Sequence, residues 1–404
     1  MGGFILRASK AIVATAAAVG SILLAAGCSS SSSTSSTTAP AASSTMSSSA
    51  SATASATAAA VDASTATSAA AFGGMSGLVA AAQKEGQLNV ITLPSNWANY
   101  GAIMKAFTAM YGIKITDANP EGSSANEISA INELKGKSSA PDVVDVGSSF
   151  AVSGDTSGLW APYKVATWDD IPAAAKATNG DYYADYGGYV AIGYDPSKVK
   201  TPPTSFKSLL NPIYKNQVAI DGDPAQTGSA FAAVYAAALA NGCSLSNIAP
   251  GVAYFKQLKS AGNFVPTEGT PATVQSGATP ILIWWDYLLA SEVSTVVKGF
   301  KVVIPSDAQY AGYYDQAISA TAPDPAAARL WEEFLYSTQG QNLFLGGETR
   351  PIEMSAMISA GTINKTEEAA LPQVPGAGAL DLPTTAQNTA AETVVTQQWP
   401  SVSG

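Results

Sequence analysis

From residue 87 onward the chain alternates two hydrophobic periods. QLNVITL (residues 87–93) has the pattern of a strand. From Asn99 to Tyr111, the apolar residues Ile103, Met104, Phe107, Met110 and Tyr111 recur at helical spacing until Gly112 ends the run. IKITDA (113–118) reads as a second strand. Asn126 is placed to cap a helix that carries Ile128, Ile131 and Leu134 on one stripe, and PDVVDV (141–146) follows as a third strand with Gly147-Ser148-Ser149 as its tail. This β-α-β-α-β order predicts a parallel, doubly wound sheet.

A second α/β series starts near Tyr189. QVAIDGD (217–223) predicts a strand leading into a helix from Phe231 to Leu239, followed by a helix over 250–261 and strands at PILIWW (280–285) and FKVVIP (300–305). Asp324 and Pro325 then open a helix as N-cap and first helical residue, with Leu330, Trp331, Phe334 and Leu335 turned inward. The fold class is therefore α/β, with two Rossmann-like lobes joined by two strand crossovers and a ligand cleft between them. The expected boundaries are 74–188 plus about 310–404 for lobe 1, and 189–309 for lobe 2. Pro372 to Gly404, rich in Ala, Thr, Gln and Pro, either wraps a lobe or trails from it.

The first 73 residues do not share this pattern. Arg7 and Lys10 precede the uncharged, almost wholly apolar run Ala11–Ala26, which is too short for a bilayer span and predicts a signal peptide over residues 1–27. Leu24-Ala25-Ala26-Gly27-Cys28 resembles the lipobox of bacterial lipoproteins, which implies that Cys28 is lipidated and becomes the mature N terminus. Residues 28–73 are mostly Ser, Thr and Ala with a single charge, Asp62, and predict a disordered tether. Cys243 is then left without a disulfide partner and reads as a small structural residue.

Composition narrows the function. The chain of 404 residues has a net charge of −10 and no basic block, so nucleic acid is not an expected partner. It contains no His, which removes Ser-His-Asp and Cys-His triads and His-ligated zinc together. Gly136-Lys137-Ser138 imitates the end of a phosphate loop, but Ile131 stands where the upstream Gly is required. Ser197 and Lys200 fit a four-residue nucleophile pattern only formally, in a turn without its companion motifs. No enzyme activity, cofactor or metal site is expected.

Three stretches carry a family resemblance: GGYVAIGYDPSKV after DYYADY, IDGDPAQTGSAF, and ISATAPDPAAARLWEEFLYSTQGQNLF. Across residues 74–352 the chain resembles the extracellular solute-binding proteins of ABC importers, of the two-lobed type with two crossing strands that includes polyamine, thiamine and iron binders. The resemblance implies that the cleft is faced by Asn96 and Trp97, Ser148, Asp185 and Tyr186, Thr227 and Gly228, the cluster Trp284-Trp285-Asp286-Tyr287, and Tyr314. It also implies a monomer, exported and lipid-anchored on the outer face of the cytoplasmic membrane, that hands a small solute to a membrane permease.

Within ILIWWDYL (281–288), Trp284 is expected in the core and Trp285-Asp286 at the site. A tryptophan face attracts an organic cation and an adjacent carboxylate adds a charge-assisted hydrogen bond. Asp185, Asp286 and Glu268 together would neutralise a linear polyamine, the favoured solute. Thr227-Gly228-Ser229, as a helix start, suits an anion instead and keeps an aminoalkylphosphonate open. Thiamine and ferric iron are further alternatives, the latter through Tyr313-Tyr314, and a cell-surface adhesin or spacer is the alternative outside transport.

Overall fold

The computed structural model describes residues 61–375 and 382–403. The expected signal peptide, Cys28 and the tether up to residue 60 lie outside the described residues. β1 (Gln87–Ile91) is buried along its apolar positions and pairs in parallel with β2 (Lys114–Ala118), from Gln87↔Lys114 to Ile91↔Ala118. The helix Tyr100–Tyr111 between them buries Tyr100, Ile103 and Phe107 and stops at Gly112, whose φ of 72° suits a residue without a Cβ. The next helix, Ser124–Glu133, is capped one turn earlier than expected. Ser123 is the N-cap, and Asn126 sits three residues in, where its Oδ1 accepts from the Ser123 amide at 3.0 Å.

β3 (Val143–Gly147) departs from the expected parallel sheet. It pairs antiparallel with β8 (Ala311–Ile318), and Asp142 makes the join to β1. The Asp142 carboxylate accepts the Asn89 amide at 2.7 Å and the Asp324 amide at 2.7 Å, while its own amide donates to the Asn89 carbonyl at 2.8 Å. Of the expected tail Gly147-Ser148-Ser149, Gly147 ends the strand, but Ser148 and Ser149 open a helix that spans Ser148–Thr156.

β4 (Tyr183–Tyr194) is the element that unites the molecule. Its first half pairs antiparallel with β8 and with the short β9 (Arg350–Pro351), across a register shift between Ala184 and Gly187. Its second half pairs antiparallel with β6 (Ile281–Trp285) and β7 (Lys301–Val303). β5 (Val218–Ile220) completes the second half in parallel with β6, giving the order β3-β8-β4-β6-β5. β4 thus carries the chain out of one lobe and β8 returns it, so the central sheet is mixed. The second lobe adds the helices Gly228–Ala240 and Ala249–Ser260. No described helix is long and apolar enough to cross a membrane.

The helix Pro325–Leu335 is buried along its length, and Trp331 is fully enclosed, as its spacing predicts. Glu85 holds its N terminus from the end of the helix Met75–Glu85, accepting the amides of Ala326 and Ala327 at 3.0 and 2.7 Å. A carboxylate there also opposes the positive end of the helix dipole. Arg329, buried on the same helix, donates to the carbonyls of Ala66 at 2.6 Å and Ser64 at 2.9 Å. Residues 61–73, expected as the end of the tether, are therefore folded onto this helix, with Ala66 buried. Their backbone carbonyls are the partners Arg329 needs, which composition could not reveal.

The C-terminal stretch also finds partners. The helix Thr385–Gln398 meets the first lobe where Thr385 Oγ1 lies 3.2 Å from the Tyr182 hydroxyl, and the second where Tyr235 donates to the Gln387 carbonyl at 3.2 Å. Trp399 is buried with edge-to-face contacts to Phe255 and Phe264 at 5.4 and 6.3 Å. The end of the chain is thus shared between the lobes. Trp399→Ala is expected to lower unfolding stability by about 3–5 kcal/mol, the usual cost of emptying a buried aromatic site. Urea denaturation checks this, and an unchanged midpoint would show that the terminal helix adds nothing to the folded unit.

Candidate functional site

The loops that follow the strands of both lobes converge on a cavity of about 230 Å³. The first lobe contributes Thr92, Asn96 and Trp97 after β1, Glu121 and Gly122 after β2, Ser123, Ser124 and Glu127 at a helix start, and Asp145 of β3. The second contributes Asp221 after β5, Thr227 to Ser229 at a helix start, Glu268 to Pro271, Trp284 of β6 and Glu292. Tyr314 comes from the crossing strand β8.

Backbone strain concentrates beside this cavity. Thr92, Ala98, Asn99 and Asn119 have φ values of 59°, 46°, 66° and 49°, and all four lie in the two first-lobe loops that border it. For a β-branched residue such as Thr92 this is a genuine outlier, and each such residue costs about 1–3 kcal/mol. Surrounding contacts must hold these loops in place, as at binding sites that are formed in advance.

Aromatic rings make one wall. Trp97 meets Trp284 edge-on at 5.9 Å and Tyr314 at 5.6 Å. The Trp97 indole N–H donates to the Tyr186 hydroxyl at 2.6 Å, and that hydroxyl donates to Asp145 Oδ2 at 2.7 Å. Tyr100 also donates to Asp145 Oδ2, at 2.9 Å. Two phenols thus occupy one oxygen of a buried carboxylate, while Oδ1 has no partner. Behind them Gln316 donates to the Tyr100 oxygen at 2.9 Å and to Asp185 at 3.1 Å.

The lining is strongly acidic. Glu121, Glu127, Asp145, Asp221, Glu268 and Glu292 all border the cavity, and no Lys or Arg does among the described residues. Burial pushes Asp221 up to about 8, against the hydrogen bond it accepts from Ser229. Burial likewise raises Glu292 to about 7, and the Glu121 charge adds to it. Glu127 is held well above the usual carboxylate range by burial and by Asp145, and burial raises Asp145 too. Burial and like charge both oppose ionisation here, and a cation entering the cavity would oppose both effects.

Of the residues expected at the site, Asn96, Trp97, Thr227, Gly228, Glu268 and Tyr314 border this cavity. The others do not. Asp286 is fully buried, paired with Arg350 Nη1 at 2.7 Å and accepting the Tyr189 amide at 2.8 Å. Its charge is already answered inside the protein. The two tryptophans are exchanged relative to expectation: Trp284 faces the cavity, and Trp285 packs over Gly312 on the other side of the pleat. Tyr287 is fully buried and stacks on Trp285 at 6.2 Å.

Asp185 and Tyr186 are buried behind the wall, where Tyr186 acts through Trp97 and Asp145. Ser148 turns away and donates to the Tyr313 carbonyl at 3.1 Å. Sequence reasoning missed the acids Glu121, Glu127, Asp145, Asp221 and Glu292; Asp145 lies within the apolar run of β3 and Asp221 directly follows that of β5, which was the available signal. Tyr313 and Tyr314 point to opposite faces of β8, so a tyrosine pair does not form in the cavity. Among the described residues no group of three or more Cys, Asp or Glu could hold a metal ion.

The lobes touch near the cavity. A Cβ added at Gly228 would fall 2.9 Å from the Gly147 Cα, and one added at Gly147 would fall 2.8 Å from the Gly228 Cα. Two backbones approach here with no room for a side chain.

A family model for "Bacterial extracellular solute-binding protein" matches residues 138–377, more than half of the chain. No curated protein is significantly similar by sequence. Among solved structures, the periplasmic binding protein AfuA of Actinobacillus pleuropneumoniae, bound to fructose-6-phosphate, is similar with a TM-score of 0.60 at 17% identity, over 78% of this chain and 97% of that one. Iron-bound HitA of Pseudomonas aeruginosa gives 0.56 at 20% identity, over 78% and 99%. A candidate spermidine/putrescine ABC transporter protein of Listeria monocytogenes gives 0.58 at 11%, over 78% and 99%. At these identities the likeness is one of fold.

Gly228→Ala is expected to wedge the lobes apart, with a larger radius of gyration by solution X-ray scattering and an unchanged far-UV spectrum. An unaltered radius would mean that the Gly147–Gly228 approach does not limit how closely the lobes meet.

Proposed function

This chain belongs to the bacterial extracellular solute-binding proteins, and from that premise we propose that it captures an organic cation of the polyamine type in the acidic cleft. Family members are binding proteins of ABC transporters, and the solute is what distinguishes one from another. The observation that carries the proposal is the lining itself: six carboxylic acids, three aromatic rings and no basic side chain among the described residues. An ammonium placed against Trp97 and Trp284 would gain about 2 kcal/mol from the ring faces when desolvated. The unpartnered Asp145 Oδ1 offers it a charge-assisted hydrogen bond.

Other solutes fit less well. A phosphate or sugar phosphate would meet the helix start at Gly228 but also Asp221 and Glu268 beside it. Iron would meet a single tyrosine and scattered acids. A zwitterion remains the second reading, because Thr227 and Gly228 do present a helix N terminus to the cavity.

Capture would proceed by closure of the lobes about β4 and β8, the bound solute shifting the balance toward the closed form that docks on a permease. A lipid on Cys28 would keep the protein beside that permease; more than one acyl chain would be needed for a stable anchor. Mass spectrometry of the mature protein should then find an acylated N-terminal peptide beginning at Cys28. An unmodified N terminus at another residue would refute the anchor.

Calorimetric titration of the purified protein with putrescine and spermidine tests the solute. Trp284→Ala is expected to weaken binding about 30-fold, the equivalent of about 2 kcal/mol. Asp145→Asn should weaken it by at least tenfold, in line with about 1.5–3 kcal/mol for a hydrogen bond to a charged group. Asp286→Asn should instead act on stability, because it unpairs Arg350.

The pH dependence has a definite sign. Asp221 and Glu292, raised to about 8 and 7, hold protons in the empty cleft at neutral pH that an ammonium would displace. Affinity should therefore rise with pH through that range, with proton release detectable as a buffer-dependent heat. Affinity that falls with rising pH, while the amine stays charged, would refute the cation assignment.

A further inference from the structure

The carboxylates of the cleft are divided evenly between the two jaws. Glu121, Glu127 and Asp145 belong to the first lobe, and Asp221, Glu268 and Glu292 to the second. We infer that closure is gated by charge number: the solute must carry at least two positive centres, one for each jaw, and a singly charged cation leaves the lobes open. The inference rests on the reading of the cavity as an organic-cation site and adds a condition to it.

Three observations carry it. The first is Asp145, 5% exposed and lining the cavity, whose Oδ1 is unpartnered while two tyrosines occupy Oδ2. This is a built acceptor, fixed in direction by its own hydrogen bonds, and not a solvated surface acid. The second is that the acids of the two jaws feel each other. The charge of Glu121 on the first lobe raises Glu292 on the second. The backbone contact between Gly147 and Gly228 leaves no further room for those jaws to approach with a spacer between them. Bringing the two sets of acids together without a counter-charge costs either repulsion or proton uptake.

The third observation is the placement of the rings. Trp97 comes from the first jaw, Trp284 from the second, and Tyr314 from the strand that joins them. Their centroid distances of 5.6 to 5.9 Å make one continuous aromatic surface in the cavity wall. A methylene chain can lie along that surface while its ends reach the acids on either side. A monoamine would satisfy one jaw and leave the other unpaired in a desolvated cleft, where closing gains nothing.

The test compares butylamine, putrescine, cadaverine and spermidine on the purified protein at pH 8, with calorimetry for affinity and solution X-ray scattering for compaction. The expected result is at least a hundredfold preference for the diamines and spermidine over butylamine, with compaction produced by them alone. The double substitution Asp221→Asn/Glu268→Gln, which removes charge from one jaw, should shrink that preference below tenfold. Circular dichroism would verify that the variant is folded. Butylamine that binds and compacts the protein as well as putrescine overturns charge gating and leaves the organic-cation reading standing. An absence of binding by every amine overturns that reading and this one with it.

Discussion

The pairing of β4 with β8 is the constraint on which the rest depends. These two strands run antiparallel through the centre of the sheet and are the main backbone link between the lobes. At two glycines of these strands neighbouring groups leave no room for a side chain. A Cβ at Gly187 would fall 2.2 Å from the Gly312 carbonyl oxygen, and one at Gly312 would fall 2.3 Å from the Trp285 ring. Because the strands are this close, the side chains they project are fixed in position as well. Tyr314 is held at the cavity, Tyr186 and Asp185 behind it, and Gln316 beneath. A change in the angle between the lobes would therefore be transmitted to the aromatic wall by the same strands that join them.

The ion pair of Asp286 and Arg350 belongs to this crossing and does not line the cavity. Asp286 follows β6 in the second lobe, and Arg350 sits on β9 against Gly187 of β4. Arg350 also donates to the Pro372 carbonyl at 2.8 Å and lies over the Tyr189 ring at 5.0 Å. Such a buried pair is a weak source of net stability, but removing either partner strands the other charge out of water. Its use here is geometric. It ties β9 to the turn after β6 at the point where the chain crosses.

Much of the lobed α/β fold was legible in the sequence, because strand and helix periods survive in a chain whose core is assembled from local elements. QLNVI, PILIWW and the stripe of Leu330, Trp331 and Phe334 all fold as their spacing directs. What could not be read were the joins between distant segments. Asp142 replaces a ladder between β1 and β3, Glu85 caps a helix 241 residues away, and Arg329 folds the residues before 73 onto itself. Each is a single polar side chain that satisfies backbone groups far along the sequence, and periodicity carries no trace of it.

The site was partly legible for a sharper reason. In ILIWWDYL the expectation set Trp285 and Asp286 at the site and Trp284 in the core, but alternation along a strand is a matter of parity. A shift by one residue exchanges every side chain between the faces. Trp284 and Trp285 are identical as letters, and only the pairing of β6 with β4 decides which one meets the cavity. Asp286, one step further, falls among buried groups and requires a cationic partner, which Arg350 supplies. Of the acids that border the cavity, Glu268 was expected, whereas Asp145 and Asp221 were overlooked because they stand next to apolar runs and read as parts of strands. Their position is itself informative. An acid buried beside a strand costs stability when ionised, and burial raises Glu127, Asp145, Asp221 and Glu292 in this cleft above the usual carboxylate range. A cleft built this way keeps its acidic lining without the full repulsion that six carboxylates would otherwise produce.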